Sequence, residues 1–173
     1  VEQVFLGVEV LPADHGRLGG NLLVNPGAES GDLEPWAIEG DFRRGVNLVR
    51  FFTDYLVSRS GDGMFMAYPS REAGDASLAQ TVDLPAGVRY LAWGGRLKSF
   101  ASIMGIGVEV AALGSDNQVL HSVETGLLPC AQWEDVSGVF RVPSGALRAR
   151  RRVSAGGRGR AAFADDLYLL ALG

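Results

Sequence analysis

Arg148, Arg150 and Arg152 recur at every second position, the spacing that puts three guanidinium groups on one face of a β-strand. A row of that kind can hold carboxylate or sulfate groups through bidentate hydrogen bonds, and Arg96, Arg141 and Lys98 are candidates to join it from neighbouring strands. The other reading is a solvated face whose charges pair with Glu109 and its neighbours. Trp93, in the run Tyr90-Leu-Ala-Trp-Gly-Gly95, offers a second kind of chemistry. If Tyr90 faces the core, alternation turns Trp93 to solvent, where an indole can stack on the apolar face of a pyranose ring. The alternative is that it packs beneath the segment from Gly40 to Asp62. That segment carries Phe52 and Tyr55, has no clean period, and reads as a long decorated loop or one irregular strand, a usual place for function. The expected ligand-binding set is therefore Trp93, Arg96, Arg148, Arg150, Arg152, Phe52 and Tyr55.

Material for catalysis is scarce. The only histidines are His15 and His121, too few for a histidine-supported triad or a clustered zinc site. Gly27-Ala-Glu-Ser-Gly31 has its serine in the wrong place for a nucleophile elbow. Gly105-Ile-Gly107 lacks the third glycine and the helix of a dinucleotide loop. Glu109, Glu124 and Glu134 are each explained as surface acids rather than as a glycosidase pair. No catalytic residue is expected.

These side chains must be positioned by strands. Glycine and proline punctuation separates short β-prone runs, and no window of a dozen residues carries an apolar stripe at helical period. The runs are Gln3 to Leu11, Trp36 to Gly40, Met64 to Tyr68, Ala76 to Leu84, Val88 to Leu97, Gly105 to Leu113, Val119 to Glu124, Trp133 to Val142, Leu147 to Ser154 and Ala161 to Leu170. This is the pattern of an all-β sandwich. Alternation turns Ile106, Val108, Val110 and Ala112 inward on one strand, Val136, Gly138, Phe140 and Val142 on another, and Leu147, Ala149 and Val153 on a third.

At 173 residues the chain fits one core. A net charge of −4 supplies no global positive field for nucleic acid, and no apolar run approaches a membrane span. One cysteine, Cys130, cannot make an intrachain disulfide. The start at Val1 reads as a mature form or, by preference, a piece of a longer polypeptide, with residues 1–20 a linker or an extra strand and residues 21–173 the module itself.

From Asn21 onward the chain resembles the carbohydrate-binding modules with a galactose-binding-like jelly roll that accompany xylanases and other glycoside hydrolases. The opening Asn21-Leu-Leu-Val-Asn-Pro-Gly-Ala-Glu-Ser-Gly31, followed by Trp36, matches their usual start, with Ala28 in place of the usual Phe. Gln80-Thr-Val-Asp-Leu-Pro-Ala-Gly87 leading to Tyr90 matches too, as do Trp133 with Val136, Ser137 and Phe140, and the closing Phe163-Ala-Asp-Asp-Leu-Tyr-Leu169. The resemblance implies a jelly-roll β-sandwich of two antiparallel sheets, with Trp36 and Trp133 bracing it. It further implies a structural Ca²⁺ held by the acid of the opening motif, here Glu29, and the first Asp of the closing motif, here Asp165. Asn25-Pro26-Gly27 is turn chemistry that aims Glu29 at the sandwich edge. Asp165, placed by alternation on the face of Phe163, Leu167 and Leu169, needs a partner that a cation or a hydrogen-bond donor can supply. The implied function is non-catalytic binding of a polysaccharide or glycan by one module of a secreted or surface multidomain protein, extracellular or at the cell surface. The competing reading is a structural or protein-interaction jelly roll of a cell-surface layer or virion appendage.

Overall fold

The computed structural model describes residues 16–40, 42–46, 60–67, 76–99, 104–157 and 161–173. Its strands are β1 (Ala37–Glu39), β2 (Phe42–Val46), β3 (Gly63–Ala67), β4 (Ala76–Asp83), β5 (Tyr90–Ser99), β6 (Met104–Leu113), β7 (Val119–Glu124), β8 (Glu134–Arg141), β9 (Arg148–Gly157) and β10 (Ala162–Leu172). They form two five-stranded sheets, ordered β1-β4-β9-β6-β7 and β2-β3-β10-β5-β8. Every pairing within them is antiparallel, and the fold is a jelly-roll sandwich. No helix of the described residues is long and apolar enough to cross a membrane.

The core lies between the sheets. Ile106, Val108, Val110 and Ala112 of β6 enter it from one side, and Phe65 of β3, Leu91 and Leu97 of β5, and Leu167 and Leu169 of β10 from the other. Each fully buried Leu, Ile, Val or Phe side chain among them contributes about 1.5–3 kcal/mol from removal of apolar area from water. The inward set read from alternation on β6 and β8 holds, whereas Leu147 immediately precedes β9 and is exposed.

Two expectations are corrected here. Trp93 does not face solvent: at 2% exposure it belongs to the core, because it shares parity on β5 with Leu91 and Leu97, both fully buried, and Tyr90 lies on the opposite face. Glycine at position 138, directly across the ladder, leaves room for the indole, since a Cβ there would lie 2.6 Å from Trp93 Cζ2. Asp165 does not share the face of Leu167 and Leu169. A β-bulge between Asp165 and Tyr168, with Asp166 at a φ of 50°, shifts the phase of β10. Phe163 consequently packs with Met64 and Ala161 in a second, smaller cluster on the outer side of its sheet, where Met66 and Trp133 complete it.

The opening motif is a strap across the sandwich edge. The Asn21 side chain donates to the Leu167 carbonyl at 3.0 Å and accepts from the Leu169 N–H at 2.9 Å, imitating one more backbone pair beside β10. Gln80, buried on β4, accepts from Val24 N–H at 2.8 Å and donates to Val24 O at 2.9 Å. Trp36 is buried, packs edge-on against Phe65 with ring centroids 5.1 Å apart, and donates its indole N–H to the carbonyls of Val24 and Asn25. The bracing role expected of Trp36 is thus met by a ring whose one polar atom is satisfied.

Candidate functional site

The outer face of the first sheet is built in transverse rows. Register aligns Glu39, Ser77, Ser154 and Gly107 across β1, β4, β9 and β6. The next row aligns Ala79, Arg152, Glu109 and Glu124 across β4, β9, β6 and β7. Two hydroxymethyl groups and a bare glycine make the first row low, and charged side chains make the second row high. The result is a groove of about 410 Å³ floored by Ser77 and Ser154, closed where the chain passes over Gly107, and edged by Glu39, Arg152, Glu109 and Glu124.

The far wall is the chain leaving β7. Thr125 N–H donates to Val108 O at 3.0 Å, and its hydroxyl accepts from Val108 N–H at 3.1 Å and donates to Gly126 O at 2.8 Å. Leu128 and Ile106 then exchange a pair of backbone bonds at 2.9 and 3.1 Å. Between these anchors the backbone crosses β6 so closely that a Cβ on Gly107 would stand 2.0 Å from the Gly126 carbonyl oxygen. Leu127 stands at this wall, half exposed.

The arginine row is only partly as expected. Arg148, Arg150 and Arg152 do share the outer face of β9, yet the face is not a bare cationic one. Arg150 donates to Glu109 at 2.8 Å, Arg152 to Glu39 at 3.3 Å and Arg148 to the Ser115 carbonyl at 2.7 Å. Ser77 also donates to Glu39, at 3.0 Å. Around the groove three carboxylates, Glu39, Glu109 and Glu124, meet two guanidiniums, so the balance is slightly acidic. Arg96 is not part of this face: on β5 of the other sheet it bridges Asp135 and Asp166, both at 2.7 Å. Phe52 and Tyr55 lie outside the described residues.

Glu29 and Asp165 lie on either side of one small gap. A Cβ at Gly27 would stand 3.0 Å from Asp165 Oδ1 and 3.7 Å from Glu29 Oε1, so the glycine leaves a gap that both carboxylates border. Glu29 accepts from the backbone N–H groups of Asp62 and Gly63 at 3.1 and 2.9 Å. Asp165, fully buried, accepts from those of Ser60 and Asp166 at 3.1 and 2.7 Å. Hard carboxylate oxygens are the donor type that Ca²⁺ takes; here each of the four oxygens accepts from a backbone N–H, and no cluster of three acid, His or Cys side chains occurs among the described residues.

Signals in the sequence for Glu39 and Gly107 are weak, since their roles depend on the β1–β4 pairing and on the path of residues 125–128. No protein-family model matches the sequence, and a comparison with curated proteins finds no match either. Among solved structures, TmCBM61 in complex with β-1,4-galactotriose is 28% identical, with a TM-score of 0.61 over 87% of this chain and 98% of that one. The enzymatically active domain of bacteriophage CBA120 tailspike protein 4 gives a TM-score of 0.69 at 16% identity; 87% of this chain is matched, but it spans only 21% of the tailspike chain. A cyclase from Fischerella sp. TAU gives 0.64 at 17% identity over 85% of this chain and 94% of that one. A family 16 carbohydrate-binding module shares the same architecture. By topology and by these neighbours, the chain has the jelly-roll sandwich fold of the carbohydrate-binding modules.

Proposed function

We propose that this chain is a non-catalytic carbohydrate-binding module that takes a neutral oligosaccharide in the groove on the outer face of the first sheet. The observation that carries the reading is the low row Ser77, Ser154 and Gly107 between charged edges, on a fold whose neighbour TmCBM61 was solved with a galactotriose. Sugar hydroxyls are both donors and acceptors, so Glu39, Glu124, Arg152 and the two serines offer complementary partners. Leu127 offers an apolar surface for a ring face. A carboxylated or sulfated sugar would meet three carboxylates against two guanidiniums already engaged, and is disfavoured there.

The non-catalytic part rests on the same pairings. Glycoside hydrolysis needs two carboxyl groups in distinct roles across the scissile bond. Here Glu109 is engaged by Arg150, and Glu39 by Arg152 and Ser77. In the same reading Ca²⁺ would be held by Glu29 and Asp165, tying the opening strap to the bulge of β10, and its contribution would be structural. The module would belong to a secreted or surface multidomain protein.

Incubation with a panel of soluble and insoluble polysaccharides tests this reading. Retention on a neutral polysaccharide without release of reducing ends is expected; turnover abolished by changing one groove carboxylate to its amide would replace it with an enzyme. The tailspike neighbour favours a second reading, a structural jelly roll of a virion or surface appendage, which gains if no polysaccharide retains the chain.

A further inference from the structure

Most described arginines of the strands are engaged: Arg96, Arg148, Arg150 and Arg152 each donate to a carboxylate or a carbonyl. Arg17, Arg89 and Arg141 are different. All three are exposed, and none has a hydrogen-bond or ion-pair partner for its side chain among the described residues.

They are also gathered at one end of the second sheet. Arg17 bridges Leu172, Leu172 pairs with Tyr90 and Tyr90 with Arg141, which sets the four on one transverse row. The row lies on the outer face, because Leu91 and Trp93 occupy the inner one. At about 4.8 Å between neighbouring strands it spans about 14 Å. Arg89 precedes Tyr90 and is tied at both backbone groups, its N–H donating to Leu172 O at 2.7 Å and its carbonyl accepting from Val142 N–H at 2.8 Å. Arg89, Tyr90, Arg141 and Ser144 line one open cleft of about 540 Å³, which shares no residue with the groove of the first sheet.

We propose that this row is a second binding site, which takes the carboxylate or sulfate groups of an acidic polysaccharide. Guanidinium forks on a pre-set backbone match planar and tetrahedral oxyanions, and Tyr90 and Ser144 add hydroxyls to the same cleft. A single small anion spans only part of a row this long, whereas a polymer with a charge on successive sugars meets Arg17 as well as the cleft that Arg89 and Arg141 line. In a chain with 20 acidic and 16 basic residues, such a patch acts only within the screening distance of about 8–10 Å, so its attraction is short-ranged and falls with salt. The choice of a polysaccharide over another polyanion rests on the binding-module reading above; the anion site itself does not.

Affinity electrophoresis in polygalacturonate, dextran sulfate and uncharged dextran tests the site, with the wild type, Arg89→Gln/Arg141→Gln and Arg89→Lys/Arg141→Lys. Retardation by at least one acidic polymer and not by dextran is expected, weakening about tenfold or more in the glutamine variant, less in the lysine variant, and at higher salt. Binding to polygalacturonate alone would name the carboxylate as the group held, and binding to dextran sulfate alone the sulfate. Acidic polymers that bind no better than dextran, or a glutamine variant that binds them unchanged, would overturn the proposal. Titration of the same variants with neutral oligosaccharides keeps the two sites apart: loss of acidic-polymer binding with neutral binding intact is the signature of this site, and absence of neutral binding alone speaks only against the groove.

Discussion

The guanidinium of Arg151 lies over the indole of Trp93, 5.1 Å from the ring centroid, in the space between the two sheets. Arg151 is fully buried, and its one hydrogen bond among the described residues runs from Nη2 to the Gly94 carbonyl at 3.1 Å, leaving Nε and Nη1 without acceptors. Burial pushes its pKa down to about 9. The ring face recovers part of the lost hydration, but a buried cation with unmatched donors remains costly.

Arg151→Met should therefore leave the fold intact and change stability by between zero and about 4 kcal/mol in the favourable direction, as when a buried charge yields to an apolar side chain of similar volume. The unfolded guanidinium binds its proton more tightly than the folded one, so the penalty is fully present below about pH 9 and shrinks above it. Urea titrations of both proteins at neutral pH and near pH 10 check this. A strongly destabilised Arg151→Met would mean the cation is better compensated than the hydrogen bonds indicate.

Trp93→Ala should cost about 3–5 kcal/mol, the usual range for emptying a core tryptophan site. Trp93→Phe should keep the fold and leave glycan affinity unchanged, measured by titration calorimetry. Loss of affinity with stability retained would return Trp93 to the binding surface.

If Glu29 and Asp165 share Ca²⁺, the ion at about a hundred times its dissociation constant adds roughly 2.7 kcal/mol to stability, and a chelator should lower the melting temperature measurably. Glu29→Gln should remove most of that response. An unchanged melting temperature in excess chelator, with no metal by elemental analysis, counts against the ion.

Cys130 is buried and its thiol is pushed up to about 11, chiefly by burial. Iodoacetamide at pH 8 should alkylate it slowly in the native protein and rapidly once urea unfolds the chain, since the thiolate is the nucleophile. Equal rates in both states would show that the site opens.

Much of the architecture was legible because alternation and turn residues are local. The strands β1 and β3 to β10 are each legible within a few residues, while β2 falls in the segment from Gly40 to Asp62, where a loop and one irregular strand stayed open because Phe42-Arg-Arg-Gly-Val46 carries no apolar alternation. The orientation of Trp93 was readable too: Leu91 and Leu97 share its parity, and Arg96 and Lys98 share that of Tyr90. Placing Tyr90 outward puts Trp93 inside at once. Arg151 has the parity of Ala149 and Val153, yet an arginine is seldom placed inside on pattern alone. The pairing of the arginine face with Glu109 was one of two open readings, and geometry selected it. Glu39 and the wall at Gly126 depend on which strands become neighbours, information that no local window contains.

Gly107→Ala should disturb the groove without emptying the core, because its Cβ would press on the Gly126 carbonyl and displace the wall. A melting temperature lowered by less than that of Trp93→Ala, with neutral-glycan affinity reduced, is the expected pair of results. Unaltered affinity would remove the wall from the site.

Titrating the wild type and Arg152→Ala with neutral β-linked oligosaccharides, β-1,4-galactotriose among them, while following the melting temperature, tests the groove as a glycan site. Arg152 is partly exposed, so its removal should leave stability nearly unchanged. One-to-one binding of at least one oligosaccharide by the wild type, weakened about tenfold, or about 1.4 kcal/mol, in the variant, is expected if the groove holds the glycan. No binding by the wild type, or equal binding by both proteins, would contradict it.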